Sequence, residues 1–412
     1  MKNNDIKQNI LIYRDQLLPP SETFIKSQAE GFQKYQAHFL GSRTVEGLTL
    51  DEQFRMVVNP GGMWGRSQEI SFKLTGRLRR GMFRQIHQLN PRLLHAHFGP
   101  DAVLALPVAK KLNIPLIATF HGYDATTKDV YAKKSYYTHR NYIRYRSRLQ
   151  QQADLFIAVS DFIKGKMLDQ GFPANKIVRH YIGLQAENFE PNPVEIRKPI
   201  VLFVGRLVEV KGCSYLLKAM KAVQLVNPEV ELVVIGDGPL RSELEQRAAK
   251  TLKNVTFLGT QPQAVVKSWM NRAKVFCVPS IKAKSGAEEG LGMVFLEANA
   301  MGLPVVSFAT GGIPEAVQHN GTGYLAKERD WQQLASYILR LMEHEELWHS
   351  FSENGQKRVR EKFNFAAQTR EMENIYSSLL SGQTAFNTES KSFAVSVTLV
   401  DAKERPIKQI HM

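Results

Sequence analysis

Residues 200–223 read IVLFVGRLVEVKGCSYLLKAMKAV, and this stretch decides the class of fold. Its first five residues are apolar and mostly β-branched, which is typical of a strand buried on both faces of a sheet. A turn bounded by Gly205 and Gly212 follows. Beyond the turn, apolar residues recur with the period of an amphipathic helix, at Leu216, Leu217, Met220 and Val223. Strand, glycine turn and helix in this order predict a βαβ unit on a parallel sheet.

The same alternation occurs in two series. The first series of predicted strands comprises Asn9–Tyr13, Arg55–Val58, Leu94–Phe98, Leu116–Phe120, Leu155–Ser160 and Ile177–Ile182. The second comprises Ile200–Gly205, Glu231–Gly236, Val255–Gly259, Val275–Val278 and Val305–Phe308. Helices are predicted between the strands, one of them behind Asp330 as its N-cap. We therefore predict an α/β protein with two doubly wound, Rossmann-like parallel sheets.

A stretch without periodicity separates the two series. Residues 186–199 read AENFEPNPVEIRKP, and three prolines in fourteen residues are typical of an interdomain linker. In the tail, FAVSVTLV at 393–400 alternates like a strand but has no evident partner. The predicted organisation is an N-terminal domain over 1–195, a second domain over 196–365, a C-terminal helix over 366–380 that returns to the first domain, and a poorly ordered tail over 381–412.

Composition limits the class of protein. The chain has 412 residues, 43% of them hydrophobic, which is ordinary for a globular protein with more than one core. No apolar run approaches the ~18 residues of a membrane span, and we expect neither secretion nor a spanning segment. Cys213 and Cys277 are too few for a disulfide framework or a zinc site, so we expect the reducing cytoplasm.

The charge is high and uneven. There are 54 basic and 39 acidic residues, a net charge of +15, and residues 1–190 carry +11 of it. If the positive charge serves to bind a partner, that partner would be nucleic acid, anionic lipid or a phosphorylated substrate. The simpler alternative is that the charge only keeps the protein soluble. Two stretches, 73–84 and 133–148, interleave Lys and Arg with Leu, Met, Phe and Tyr. Both suit an anionic leaflet, although nucleic acid or a solvated helix face fits the same composition.

The densest chemical signal is residues 285–316, SGAEEGLGMVFLEANAMGLPVVSFATGGIPEA. Gly290 and Gly292 allow backbone amides to approach a ligand, and the helix that starts there offers unpaired N–H groups to a phosphate. Glu289 and Glu297 are two carboxylates that can accept hydrogen bonds from a polyol, such as a sugar and a ribose. The alternative is ordinary surface charge around a βα turn.

A second signal follows the strand at 200–205. Arg206 offers bidentate contacts and Lys211 a mobile positive charge, and together they can neutralise a diphosphate. The chain contains no Walker A motif and no G-x-G-x-x-G motif, which removes the main support for an ATPase or an NAD enzyme. It also contains no D-x-D pair to hold a divalent metal, so we expect no metal and no other cofactor.

Four motifs follow one another along the chain: HGYD at 121–124, GRL-x3-KG at 205–212, GDGP at 236–239 and E-x7-E at 289–297. Together they resemble the retaining GT-B glycosyltransferases of family 4 (GT4), and the resemblance covers about residues 7–380. The segment LPPSETFI at 18–25 further resembles glycosyltransferases of the colanic-acid and amylovoran type. The resemblance implies two Rossmann-like domains that face each other across a cleft.

The resemblance also implies roles for individual residues. Those matching Arg206 and Lys211 hold the donor diphosphate, and the one matching Glu297 binds the ribose diol. Catalytic positions are His121, near the transferred sugar, and Glu289, which positions it. The remaining candidates are the donor loop Gly290, Leu291, Gly292 and Met293 and an acceptor or phosphate loop of Ser21, Glu22 and Thr23. For Ser21 and Thr23, helix capping is an equal alternative.

The implied function is transfer of a hexosyl group, with retention, from a nucleotide-sugar to a saccharide or lipid-linked saccharide in exopolysaccharide synthesis. A UDP-hexose is the first expectation for the donor and GDP-mannose the second. We expect an anionic membrane surface as a partner, at its inner face, and no nucleic acid. Two alternatives stay open: a non-catalytic basic module that binds membrane or nucleic acid, and a sugar-nucleotide epimerase of related fold.

Overall fold

The computed structural model describes residues 7–382, so nearly all of the tail predicted to be poorly ordered, including the alternating segment 393–400, lies outside the described residues. Two parallel sheets dominate it. The first contains β1 (Gln8–Leu17), β2 (Tyr35–Thr44), β3 (Arg55–Asn59), β4 (Leu94–His97), β5 (Leu116–Phe120), β6 (Leu155–Ala158) and β7 (Ile177–Arg179). The second contains β8 (Ile200–Val204), β9 (Glu231–Ile235), β10 (Val255–Gly259), β11 (Val275–Cys277), β12 (Val305–Phe308) and β13 (Gly323–Ala326).

Helices cover both faces of the sheets. Those of the first domain are α1 (Thr23–Gly31), α2 (Gly62–Thr75), α3 (Arg80–Gln88), α4 (Gly99–Leu112), α5 (Tyr123–Thr126), α6 (Asp129–Ala132), α7 (Tyr137–Gln152) and α8 (Asp161–Asp169). The later ones are α9 (Cys213–Val226), α10 (Arg241–Thr251), α11 (Gln263–Arg272), α12 (Met293–Ala300), α13 (Ile313–Ala316), α14 (Trp331–Glu343), α15 (Glu345–Lys362) and α16 (Phe365–Leu380). Asp330 caps α14 as predicted, since its side chain accepts from the Gln333 N–H.

The strand orders confirm the predicted doubly wound sheets. The first sheet runs β3-β2-β1-β4-β5-β6-β7 and the second β10-β9-β8-β11-β12-β13. In each sheet the order reverses beside the first strand, between β1 and β4 and between β8 and β11. Ligands of such sheets bind at the carboxyl ends of the strands beside this reversal. We therefore expect a site at the turns after β1, β4, β8 and β11.

Two strands were missing from the prediction. β2 pairs with both β1 and β3 in the first sheet, but its polar residues and Gly41 disguise the apolar pattern of a buried strand. β13 has four residues and begins at the last glycine of the sequence NGTG, which is typical of a turn. β1 is also longer than predicted, because the chain stays extended through Arg14 and Asp15, whose charges are neutralised inside the domain.

The final helix, α16, lies against the first sheet. Tyr376 is fully buried there, edge-on to Phe32 and Tyr35 at 5.5 and 5.4 Å between ring centroids. The Glu373 carboxylate accepts hydrogen bonds from the backbone N–H groups of Gln33 and Lys34, both at 2.7 Å. The chain thus leaves the first domain after β7 and returns to it through α16.

Candidate active site

Loops of the two domains meet at the carboxyl edges of their sheets. A Cβ atom at Gly290 would lie 1.9 Å from the backbone oxygen of His121, so only glycine fits where these loops touch. The Ser160 hydroxyl donates to the Gly290 carbonyl at 2.6 Å, and the Glu288 N–H donates to the Thr126 hydroxyl oxygen at 3.1 Å. The structure therefore brings the HGYD loop and the E-x7-E loop together across the cleft.

The two residues that the resemblance assigns to the donor diphosphate and sugar contact each other. The Lys211 ammonium lies 2.5 Å from Oε2 of Glu289, with 19% and 16% of the side chains exposed. Lys211 reaches this position because Gly212 turns the chain at φ +64°, where a Cβ atom would strike the Pro279 oxygen. Arg206 is exposed on the same loop. A cation and a carboxylate thus stand at the mouth of the cleft.

The donor loop leads into the N-terminus of α12. Gly292 is the N-cap at φ +85°, and no side chain caps the helix, which leaves its first amides unpaired by a cap. The Leu291 side chain is buried, so only its backbone can contact a ligand, whereas Met293 is half-buried. The free amides and the helix dipole suit a phosphate at this position.

Glu297 lies in the second turn of α12. Its half-buried carboxylate makes no hydrogen bond or ion pair to another described side chain. Burial raises its pKa to about 7, because nothing nearby compensates the charge. An unpaired, partly dehydrated carboxylate is suited to accept two hydrogen bonds from a diol.

His121 belongs to a group of stacked histidines. Its Nε2 lies 3.0 Å from Nδ1 of His97, and its Nδ1 is buried with no hydrogen-bond partner among the described residues. Burial lowers the pKa of both rings well below the usual value, so both are neutral at pH 7. His95 stacks on His97 and bonds to Tyr376 and Thr119, both at 2.6 Å. Packing and hydrogen bonds inside the domain thus account for the buried positions of His95 and His97.

Asp124, the last residue of HGYD, shapes this loop. Its carboxylate accepts from the backbone N–H groups of Gly99, His121 and Gly122 at 3.1, 3.1 and 2.9 Å. Burial is the largest influence and raises its pKa to about 6, against the lowering effect of these amides. Asp124 thereby joins the turns after β4 and β5.

The predicted loop of Ser21, Glu22 and Thr23 behaves differently. Glu22 is buried and its carboxylate accepts twice from the Arg14 guanidinium, at 2.7 and 2.5 Å. Arg14 also pairs with Asp101. Glu22 is therefore committed to a structural ion pair. Ser21 and Thr23 are exposed and make no capping hydrogen bond, so the capping alternative is wrong.

Glu315 bridges the domains beside the site. It lies in α13, and its carboxylate accepts from the N–H groups of Asp161 and Phe162 at the start of α8, at 2.8 and 2.9 Å. The Tyr181 hydroxyl donates to it at 2.9 Å. A carboxylate at a helix N-terminus is stabilised by the dipole and by the free amides. This contact holds α13 against the first domain.

Sequence reasoning missed the roles of Arg14, Asp124, Ser160 and Glu315. Asp124 and Glu315 lie inside quoted motifs, and their positions next to loop glycines were the available signal. Arg14 and Ser160 carry no such signal, because Asp101, one of the two partners of Arg14, and Gly290, the partner of Ser160, are 87 and 130 residues away along the chain. Within residues 7–382, no three His, Cys, Asp or Glu side chains are grouped as a metal site. The same residues include no helix with the length and apolar character of a membrane span.

Family models match both halves of the chain. Residues 22–187 match Glycosyltransferase Family 4, and residues 185–358 match Glycosyl transferases group 1. The chain therefore belongs to the group 1 glycosyltransferases, with a family 4 N-terminal half. These matches confirm the family to which the four motifs point.

Individual relatives agree with this assignment. The chain is 34% identical over 257 residues to the amylovoran biosynthesis glycosyltransferase AmsK of Erwinia amylovora, which is 60% of this chain and 61% of that protein. It is 31% identical to WcaL of Salmonella typhimurium, named for colanic acid biosynthesis, over 68% of this chain and 69% of that one. The matches thus span about two thirds of these relatives.

A solved structure confirms the GT-B fold. The crystal structure of Anabaena HepE in complex with UDP and glucose superposes with a TM-score of 0.73, over 90% of this chain and all of that one. Sequence identity in this superposition is 20%. At this level the likeness supports the two facing Rossmann-like domains and nothing finer.

Proposed function

We propose that this protein transfers a hexosyl group, with retention of configuration, from a nucleotide-sugar to a saccharide or lipid-linked saccharide. The observation that carries the proposal is the Lys211–Glu289 contact beside the free N-terminus of α12. In this contact a cation and a carboxylate that can accept hydrogen bonds from hydroxyl groups lie beside the amides that we propose bind phosphate. The names of AmsK and WcaL support a role in exopolysaccharide synthesis.

The proposed donor site uses separate groups for each part of the nucleotide-sugar. Lys211, Arg206 and the α12 amides neutralise the negative charge that develops on the leaving diphosphate, which lowers the barrier. Glu297 accepts the ribose hydroxyls, and Glu289 and the unpaired Nδ1 of His121 meet the hydroxyls of the sugar. Because both cations are protein side chains, we propose that transfer needs no divalent metal and no other cofactor.

Retention follows in this proposal from attack on the face that the leaving group occupies. The bond between the anomeric carbon and the phosphate oxygen breaks, and a bond to the acceptor oxygen forms on the same side. The acceptor proton passes to the departing phosphate oxygen. Glu289 is paired with Lys211, which supports a positioning role for it and not that of a nucleophile.

The donor proposal is a UDP-hexose first and GDP-mannose second. The complex of HepE with UDP and glucose supports the first choice by analogy of fold. The second choice follows from the family resemblance. Side-chain identity does not decide between the two donors, because selection of the base depends largely on backbone contacts.

A panel of UDP- and GDP-hexoses tests the proposal. Release of nucleotide diphosphate is measured with and without a bacterial lipid extract as acceptor, with EDTA, and the anomeric product is identified by NMR. We expect release that depends on the acceptor and persists in EDTA. We also expect the product to have the same anomeric configuration as the donor. Loss of activity in EDTA with recovery in Mn²⁺ would contradict metal independence, and an inverted product would contradict retention.

Matched variants connect turnover to the site. Lys211→Met and Glu297→Ala should abolish acceptor-dependent release, whereas Lys221→Met, an exposed lysine of α9, should not. Consumption of the nucleotide-sugar without acceptor or release would indicate an epimerase. Binding of lipid or nucleic acid without turnover of any donor would indicate a non-catalytic module.

We also propose peripheral attachment to the inner face of an anionic membrane. α2 exposes Met63 and Trp64 at 88% and 71%, and basic residues continue from it through 73–84. The Tyr137 hydroxyl donates to the Lys73 carbonyl at 3.2 Å, so the second basic stretch lies beside the first. Exposed aromatic and apolar side chains next to basic ones suit the headgroup region of a leaflet.

A further inference from the structure

Four rings pack together in the first domain, from Phe24, Phe98, His121 and Tyr123, and we name them the aromatic wall. The Tyr123 ring lies parallel to that of Phe98 within 24°, at 5.3 Å between centroids. The His121 ring lies 4.5 Å from Phe98 and 5.1 Å from Phe24. The wall therefore runs from the first turn of α1 to the HGYD loop.

The backbone of Phe98 is held in an unusual conformation. Its φ of +73° with ψ of 140° lies in a region that glycine adopts readily and phenylalanine rarely. The Phe98 N–H donates to the Thr119 carbonyl at 2.7 Å, and the Arg14 guanidinium lies 4.4 Å from the ring centroid. Arg14 is itself fixed by Glu22 and Asp101. Such strain persists only where surrounding contacts enforce it, and it concentrates at functional sites.

Tyr123 is the accessible member of the wall. It is 39% exposed, whereas Phe98 is 8% exposed. Its hydroxyl makes no hydrogen bond to a described residue, although the ring packs on Phe98 and lies 5.4 Å from His139. A fixed ring with a free hydroxyl can stack on the C–H face of a pyranose and bond to one of its hydroxyl groups.

The wall lies beside the donor loop. A Cβ atom at Gly122, the residue before Tyr123, would be 3.3 Å from the Gly290 N atom. Asp124, the residue after it, holds the loop through three backbone N–H groups. Tyr123 is thus fixed at the point where the two domains meet, on the domain opposite Lys211 and the α12 amides and two residues from His121.

We propose that Tyr123, supported by Phe98, forms the subsite for the terminal sugar of the acceptor. The subsite rests on the proposed function and adds the acceptor contact to it. The predicted acceptor loop cannot supply this contact through Glu22, because Arg14 occupies that carboxylate. Stacking on Tyr123 places an acceptor hydroxyl near His121 and the donor loop, where the transferred sugar arrives.

Binding of simple sugars tests the subsite directly. Methyl glycosides of glucose, galactose and mannose are used as probes in saturation-transfer difference NMR, so that no lipid or alkyl group contributes. We expect saturation of ring C–H protons in the wild type and in Tyr123→Phe, and about tenfold weaker binding in Tyr123→Ala. Tyr131→Ala, a matched variant on α6 with 44% exposure, should bind as the wild type does.

Donor hydrolysis without acceptor, measured on the same variants, separates this subsite from the donor site. Tyr123→Ala should change the donor KM by less than about twofold in this assay, while the acceptor KM, measured separately in the transfer assay, rises. The subsite is overturned if Tyr123→Ala binds the glycosides like the wild type, if the wild type binds none of them, or if donor KM alone changes. If the wild type releases nucleotide diphosphate from no donor, with or without acceptor, the proposed function fails, and the glycoside titration still decides whether Tyr123 binds a sugar.

Discussion

Lys211 and Glu289 lie 78 residues apart in sequence and 2.5 Å apart in space, between Nζ and Oε2. The cation proposed for the diphosphate is therefore held by the carboxylate proposed for the sugar. A donor that binds here must share or replace this ion pair. The two residues should consequently have opposite effects on the binding of a nucleotide diphosphate that carries no sugar.

Glu289→Gln removes the competing carboxylate and should raise the affinity for UDP or GDP by about three- to tenfold, while transfer from the nucleotide-sugar falls. Lys211→Met removes the cation and should lower the same affinity about ten- to hundredfold, because hydrogen bonds to charged groups are the stronger ones. Isothermal titration calorimetry measures both. Equal losses of affinity in the two variants would refute competition within the pair.

The raised pKa of Glu297 predicts that the stability of the folded chain depends on pH. Its folded pKa of about 7 lies above its ordinary 4.5, so the folded chain retains a proton that the unfolded chain releases. The stability that this proton confers is complete below about pH 4.5 and is lost as the pH rises through about 7. Glu297→Gln should therefore gain thermal stability relative to the wild type as the pH is raised, measured as the difference in Tm.

The same carboxylate should link pH to donor binding, because its ionised form accepts the ribose hydroxyls. Between about pH 6 and about pH 8, wild-type affinity for the nucleotide diphosphate should rise, and that of Glu297→Gln should stay flat. Parallel pH profiles in the two proteins would show that another group titrates.

The buried ion pairs of Arg14 predict a large effect on stability. Arg14→Met leaves Glu22 and Asp101 without their cation and should lower the free energy of unfolding by about 3–5 kcal/mol. Arg55→Met, which breaks an exposed pair with Glu52, should cost less than about 1 kcal/mol. Urea denaturation measures both. Adding Glu22→Gln and Asp101→Asn to Arg14→Met should recover part of the loss, and no recovery would contradict the electrostatic origin.

The hydrogen bonds of Glu315 predict that its removal changes how closely the two domains are held together. Glu315→Ala removes three hydrogen bonds between α13 and the first domain, so the domains should separate more easily. We expect a larger radius of gyration by small-angle X-ray scattering and a donor KM raised about fivefold or more. Glu353→Ala, on the exposed face of α15, should change neither quantity. An unchanged radius with an unchanged KM would show that Glu315 does not hold the domains together.

Membrane attachment predicts two separable contributions. Replacing Met63 and Trp64 by Ser removes the apolar part, and replacing Arg77, Arg79, Arg80 and Arg84 by Gln removes the electrostatic part, at about 1 kcal/mol per residue. Both should reduce sedimentation with anionic liposomes, and the binding that remains after the four arginines are replaced should weaken less with salt than wild-type binding does. Leu225→Ser with Val226→Ser, a comparably exposed apolar pair on α9, is the control. Equal binding to neutral liposomes would contradict the proposal.

The sequence predicted the features that depend on neighbours along the chain. The turn between Gly205 and Gly212 and the loop around Gly290 and Gly292 are local, so their motifs could be read directly. The N-cap Asp330 was readable for the same reason, since its partner is three residues away. The strand β2 was not, because its burial depends on the strands on both sides and not on its own composition.

The charged interior of the first domain shows where local reasoning ends. Glu22 follows a strand and resembles a loop residue free to bind a ligand, but Arg14 takes up its carboxylate. Arg14 in turn depends on Asp101, which is 87 residues further along the chain. Only the folded chain reveals such a partner, and with it the reason for proposing Tyr123 and not Glu22 as the acceptor contact.

The return of α16 also bears on the order in which the protein matures during synthesis. Residues of the first domain leave the ribosome first, yet Tyr376 and Glu373, which cover Phe32 and bind the backbone at Gln33, are translated after the whole second domain. A nascent first domain therefore exposes an apolar face until α16 has been translated. The first domain begins to fold before the second but is completed after it. Until then its uncovered apolar face is the surface on which chaperones would act in the nascent chain.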